Sequence, residues 1–268
     1  RCRAERRGKR AGSRQQVDFG RYTAGLKGDL GTSWSYDGYL SYARSDADYY
    51  TDNRLTNRIA KSYDVVSDGN GGFVCRDTSD GFVAAPMLSA DVIAGNIPQA
   101  YRDYIMQETH GTTVYEEETA HFGVSGPLFD IPFGGTVQAA FGLEYRGMEI
   151  DDSPDPNSIA NNLYNFTAST PTRGKDSVNE AYAEFEVPLL SGLPGAQELT
   201  INLSGRYTDY DSYGSDNTWK IGMLWTPIDW LSFRASRGTS FRAPALFEQF
   251  LGSSSGFHRS ARTCIPSV

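Results

Sequence analysis

Eight stretches between about residues 19 and 241 alternate apolar and polar side chains. A period of two restricts such segments to strands with one greasy and one wet face. In 19–30, Tyr22, Ala24, Leu26, Gly28 and Leu30 share a parity; Arg21, Thr23, Lys27 and Asp29 take the other. In 34–50, Trp34, Tyr36, Gly38, Leu40 and Tyr42 oppose Ser35, Asp37 and Ser41. The stretch 117–128 aligns Ala120, Phe122, Val124 and Leu128, and 136–149 aligns Val137, Ala139, Phe141, Leu143 and Tyr145. In 176–190, Ala181, Ala183, Phe185, Val187 and Leu189 oppose Glu180, Glu184 and Glu186. In 197–210, Leu199, Ile201, Leu203 and Tyr207 oppose Thr200, Asn202, Ser204 and Arg206. The stretch 217–225 follows, and then a last strand in which Leu231, Phe233 and Ala235 alternate with Ser232, Arg234 and Ser236.

The connections alternate between short and long. Turns at 31–33, 129–135, 191–196 and 226–229 are short; 51–114 and 150–175 are long and polar, and a brief loop spans 211–216. If consecutive strands pair, the short turns gather at one end and the longer loops at the other, as in outer-membrane barrels. The stretches 34–50 and 176–190 exceed the usual globular strand of about 5–6 residues. Trp34, Phe129, Phe133, Trp225 and Trp230 flank the short turns, and Tyr42, Tyr145, Tyr207 and Tyr210 lie toward the long loops. Amphipathic rings favour the two membrane interfaces. Arg237 falls by strict parity on the apolar side, where snorkelling or a local bulge would accommodate it.

Mean hydropathy is −0.47. No run of about 18 apolar residues exists, which excludes a helical membrane span but not strands of about 9–11 residues. The expected fold class is all-β: an antiparallel transmembrane β-barrel, partial, with about eight strands of a larger one. A soluble extracellular β-sandwich that binds glycans would show the same alternation, with its apolar face turned into a core.

Net charge is −8, unevenly placed: 1–14 holds seven Lys/Arg against one Glu. Without aromatics, periodicity or a following basic domain, this head does not read as a nucleic-acid arm, and no nucleic-acid partner is expected. It lacks the apolar core of a signal peptide too. Residues 1–18 and 258–268 are read as sequence foreign to the fold, flanking a barrel segment at 19–257. Cys2 and Cys264 lie in these ends, and Cys75 stands in a polar loop. No metal-spaced Cys/His set occurs, and His110 and His121 lack partners at ligand spacing.

No catalytic or cofactor motif appears, so neither an enzyme nor a bound cofactor is expected. The neighbouring acids Glu116 and Glu118, and Asp151, Asp152 and Asp155, read as solvated loop carboxylates. Asp209, Asp211 and Asp216 match no regular calcium loop, and no metal site is assigned.

The stretch SFRAPALFEQF after the last strand carries Phe241, Arg242, Ala243 and Pro244, followed by Leu246, Phe247 and Glu248. It resembles the F-R-A-P segment where a strand breaks at the cell surface in the barrel domain of TonB-dependent outer-membrane receptors. The likeness extends to YTAGLKGDL followed by WSYDGYLSYARSDAD, to DSVNEAYAEFEVPLL, and to LSGRYTDYDSYGSDNTWKIGMLW. The resemblance implies a 22-stranded parent in the bacterial outer membrane. It also implies active uptake of a scarce nutrient: an iron chelate, a vitamin or an oligosaccharide. Coupling would run to the TonB system through a plug domain that this chain lacks, as it lacks the closing strands. Outer-membrane lipid is the surrounding partner. A passive porin-like channel is the alternative that a plug would exclude.

The loop 51–114 is too long to be mere connection. It holds the turn DGNGG at 68–72, an apolar patch at 82–87, and Tyr101, Tyr104 and Ile105 at helical spacing. It is expected to fold back over the mouth of the pore. Tyr101 and Tyr104 are the first ligand-contact candidates, because aromatic faces bind sugars and chelates; packing the loop onto the rim is the competing role.

Overall fold

The computed structural model describes residues 12–82 and 94–252. Eight long strands form one antiparallel sheet: β1 (Ser13–Leu30), β2 (Trp34–Arg54), β5 (Met106–Asp130), β6 (Thr136–Ser153), β7 (Thr172–Leu193), β8 (Ala196–Tyr210), β9 (Gly214–Ile228) and β10 (Leu231–Gly238). Each pairs with its neighbour in that order. A small hairpin, β3 (Val65–Ser67) with β4 (Phe73–Cys75), stands apart from the sheet. Among the described residues four short helices accompany the sheet: α1 (Thr56–Tyr63), α2 (Gln99–Ile105), α3 (Pro156–Ile159) and α4 (Leu246–Phe250). Among the described residues β1 and β10 each have one sheet neighbour, so the barrel is partial and unclosed.

The register carries the apolar parity from strand to strand. Leu26 faces Gly38, Gly38 faces Phe122, Phe122 faces Leu143, Leu143 faces Ala181, and Ala181 faces Tyr207. This row starts near the β1–β2 turn, at the fifth residue of β2, and ends at Asn217, the fourth residue of β9, close to the opposite end of the sheet. Such climbing is the strand stagger of a barrel wall. Leu26, Leu40, Phe122, Leu143 and Ile221 are all exposed on the apolar face, with no second sheet packed over them. A soluble sandwich would bury that face, so that alternative is overturned.

The strands outrun the alternation. β1 begins at Ser13, within the basic stretch; β2 runs to Arg54, and β5 starts at Met106, eleven positions before the expected start. At this end both faces are polar and the period of two disappears, while the hydrogen-bond ladder continues from Ala43–Glu117 to Arg54–Met106. Tyr42 and Tyr145 mark the change on the apolar face. Above them Glu116 accepts from Tyr42 Oη at 2.7 Å and Arg44 Nη1 at 2.6 Å, and Glu118 accepts from Tyr145 Oη at 3.3 Å. These acids stand on β5 and are partnered in a polar upper rim.

One placement differs from the sequence reading, and one is narrowed. Tyr210 pairs with Val178 on the polar face, because it stands three residues from Tyr207 and so has the opposite parity. Arg237 pairs with Ile221 on the apolar face; the register break in β10 lies between Leu231 and Phe233, so no bulge re-aims it. Its place beside Gly238 at the strand end leaves snorkelling as the accommodation.

Candidate functional site at the polar mouth

The polar face between the strands is an ionic ladder. Glu180, almost buried, accepts from Arg206 Nη1 at 3.0 Å and Thr208 Oγ1 at 2.8 Å, with Arg146 Nη2 at 3.8 Å. His121 sits between carboxylates on two neighbouring strands, with Nε2 3.5 Å from Asp37 and Nδ1 3.7 Å from Glu144. Its ring stacks on Tyr39 at 5.0 Å and Tyr182 at 6.2 Å, and Arg206 lies over Tyr182. Gly142 makes room: a Cβ there would strike the Tyr182 ring. Charge belongs on a face that meets water, which suits the inside of a channel and not its lipid side. No spacing rule along the chain reveals this cluster, since it exists only through cross-strand register. Among the described residues no group of three His, Cys, Asp or Glu side chains is placed to hold a metal ion.

Beyond the ladder, two long connections interlock. The β2–β5 connection folds on itself. Ile59, Tyr101 and Ile105 form a small core, with Phe82, Tyr104 and Met106 packed against it. Tyr101 is 3% exposed, and its hydroxyl lies 2.9 Å from Ser62 Oγ, which donates to Ile59 O. Tyr104 stacks flat on Phe82 at 3.8 Å and donates to Asp80 Oδ2 at 2.7 Å; Arg58 Nη1 binds its carbonyl. Lys61 Nζ bridges Asp77 at 2.8 Å and Asp80 at 3.5 Å. Asp77 is held well below the usual carboxylate range, chiefly by Lys61, and Asp80 below it chiefly by the Tyr104 hydroxyl. The Tyr104 phenol is pushed well above its ordinary value, first by burial and then by Asp80. Both tyrosines named from sequence thus sit inside the loop's own packing here, and contact with a ligand through the Tyr101 ring requires the loop to open. The apolar patch at 82–87 extends, after Phe82, outside the described residues, as do Cys2 and Cys264.

The β6–β7 connection docks on the first. Thr56 N donates to Asn162 O at 2.8 Å, Tyr164 N to Arg54 O at 2.8 Å, and Asn57 N to Asn162 Oδ1 at 2.9 Å. Asp155 caps α3 by accepting from Asn157 N at 2.8 Å, and its other oxygen accepts from His110 N of β5 at 3.0 Å. That carboxylate is structural.

The segment after β10 then turns inward. Phe241 lies 6.1 Å from the polar-face Tyr210. Ala243 and Pro244 form the extended link, and Arg242 Nη2 pairs with Glu248 Oε2 at 2.8 Å. Glu248 also accepts from Ala245 N at 3.0 Å, which with Arg242 holds its carboxyl below the usual range. Leu246 is buried, and α4 packs on β7 and β6. Gly174 is its seat, because a Cβ there would stand 2.2 Å from the Phe250 ring. The helix therefore straps the polar mouth. Sequence showed the break in β10 but not where the chain goes next; glycine at 174 was the one local hint.

A single staggered antiparallel sheet with an exposed apolar face, an ionic inner face and interlocked loops at one end defines the wall of a transmembrane β-barrel. The family described as "TonB dependent receptor-like, beta-barrel" matches residues 3–263, and the chain belongs to that family.

Proposed function

We propose that this chain forms part of the wall of a bacterial outer-membrane receptor that actively imports a scarce small-molecule or oligosaccharide nutrient. The apolar face meets lipid, the ionic ladder faces the lumen, and the interlocked loops with α4 receive the ligand. A plug domain carried elsewhere in the receptor would link the site to the TonB system. The observation that carries the reading is the two loop systems and the strap converging on the polar face at one end of the wall. An iron chelate, a vitamin and an oligosaccharide are the cargo classes in view.

The test replaces 56–104 by a short Gly/Ser linker in the full-length receptor, leaving β2 and β5 whole. The receptor should still insert in the outer membrane, while growth on its limiting nutrient should fail. Undiminished nutrient uptake after that replacement would remove the loop from the ligand site.

A further inference from the structure

Under α4 lies a pocket of about 300 Å³ on the polar face, lined by the upper ends of β2, β5 and β6, the β6–β7 connection and the strap. That size sits at the low end of small-molecule pockets and suits one ring-sized group. Leu163, Phe166, Phe247 and Leu251 supply apolar wall, and Tyr49 lines the same space. No Lys, Arg or His lines it.

Thr172 and Asp152 carry polar atoms there that the protein leaves unspent. Thr172 is 1% exposed and lines the cavity, yet its Oγ1 has no hydrogen-bond partner. An unpaired buried hydroxyl is costly to keep, so it marks a place where a partner belongs. Asp152 stands opposite Thr172 in the β6–β7 register. Its Oδ1 accepts from Thr113 Oγ1 at 2.6 Å and, more weakly, from Tyr49 Oη at 3.4 Å, which leaves Oδ2 open. Thr109, also at the cavity, accepts from Asn53 Nδ2 at 2.7 Å and donates to Thr51 O at 2.9 Å, so its hydroxyl is spent.

We infer that this cavity binds a neutral sugar ring, which names the cargo class of the receptor proposed above and rests on that reading. A carboxylate such as that of Asp152 takes donors, whereas the Thr172 hydroxyl both gives and takes. An anionic chelate would meet a carboxylate with no cation to offset it. An organic cation would satisfy Asp152 but offer no acceptor to the Thr172 proton. Neighbouring sugar hydroxyls serve both groups, and the C–H face of the ring packs on Phe166 and Phe247. A charge-assisted bond to Asp152 gives the hydroxyl orientation.

The test uses the full-length receptor in outer-membrane vesicles. The probes are a panel of neutral saccharides covering hexoses, pentoses, N-acetylhexosamines and their short oligomers, with ferric citrate and a ferric tris-catecholate as anionic competitors. At least one saccharide should bind saturably, neither iron chelate should displace it, and Thr172→Val and Phe247→Ala should each weaken it about tenfold or more. Phe247 lies on the strap, so its variant leaves the wall intact, and heat-shifted gel mobility confirms barrel assembly in both. Absence of saccharide binding across the panel, displacement by an iron chelate, or unchanged affinity in both variants overturns the inference. Protonophore-sensitive uptake of an iron chelate alongside such a result keeps the receptor reading and rejects only the sugar site. Absence of the protein from the outer membrane rejects the receptor reading itself.

Discussion

Leu203→Arg and Ser204→Arg place the same charge on adjacent residues of β8 and should have very different consequences. Leu203 is the eighth of fifteen residues in its strand, so it lies near mid-depth. Its row neighbours are Phe185 on β7 and Ile221 on β9, and no acidic side chain shares that row with them. An arginine there at the bilayer midplane costs about 2–4 kcal/mol, or about 30-fold to 1,000-fold in the folding equilibrium. Ser204 points to the other face, between Glu184 and Lys220. Arginine at 204 acquires Glu184 as a counter-charge in a wet setting, a balance worth less than about 1 kcal/mol either way. The assay is urea-dependent folding of the full-length receptor into lipid vesicles, read by gel mobility and tryptophan fluorescence. Phe141→Arg and Phe185→Arg should follow Leu203→Arg. Equal losses at 203 and 204 would refute the facing of the sheet.

Other outcomes follow from the edges, the strap and the loop core. Expressed alone in detergent-free buffer, the chain should aggregate, because β1 and β10 expose unpaired edges beside a wide apolar face; a monodisperse, cooperatively unfolding monomer on sedimentation would contradict this. Gly174→Ala should push Phe250 from its seat at a cost of about 1–3 kcal/mol, seen as faster hydrogen exchange over 246–250 with β8 and β9 unaffected. The β2–β5 loop core should hold between roughly pH 4 and pH 10. Asp77 and Asp80 have folded pKa values below 3.8, so their contribution is complete above that value and is lost as pH falls further. Lys61 has a folded pKa above 10.5, so its contribution is complete below that value and is lost as pH rises through the folded one. Protection factors across 56–82, corrected for the intrinsic rise of amide exchange with pH, that already fall between pH 5 and pH 9 would break this assignment.

The sheet was legible in sequence wherever one face meets lipid and the other water, since only there does parity carry information. Phe122, Leu143 and Leu203 stand where alternation put them. The extensions 51–54 and 106–116 were not legible, because polar residues on both faces of a paired strand look like loop. The β2–β5 connection accordingly read as longer than it is. His121 was legible as a histidine without neighbours in sequence; Asp37 and Glu144 reach it from other strands. Tyr101 and Tyr104 were rightly placed at helical spacing in α2, yet spacing could not show the partners Ser62 and Asp80 that occupy their hydroxyls. The strap was illegible because its meaning lies in a contact between Gly174 and Phe250, far apart in the chain.

In the inserted receptor one face of this sheet should be solvated by lipid and the other by water. Single cysteines placed in turn at each position from 199 to 207 in the membrane-inserted receptor test it directly. Residues 199, 201, 203, 205 and 207 should carry labels quenched by a lipid-borne quencher and react poorly with a charged, water-soluble thiol reagent; residues 200, 202, 204 and 206 should do the reverse. Uniform aqueous reactivity along the strand, or no alternation in quenching, would contradict the account.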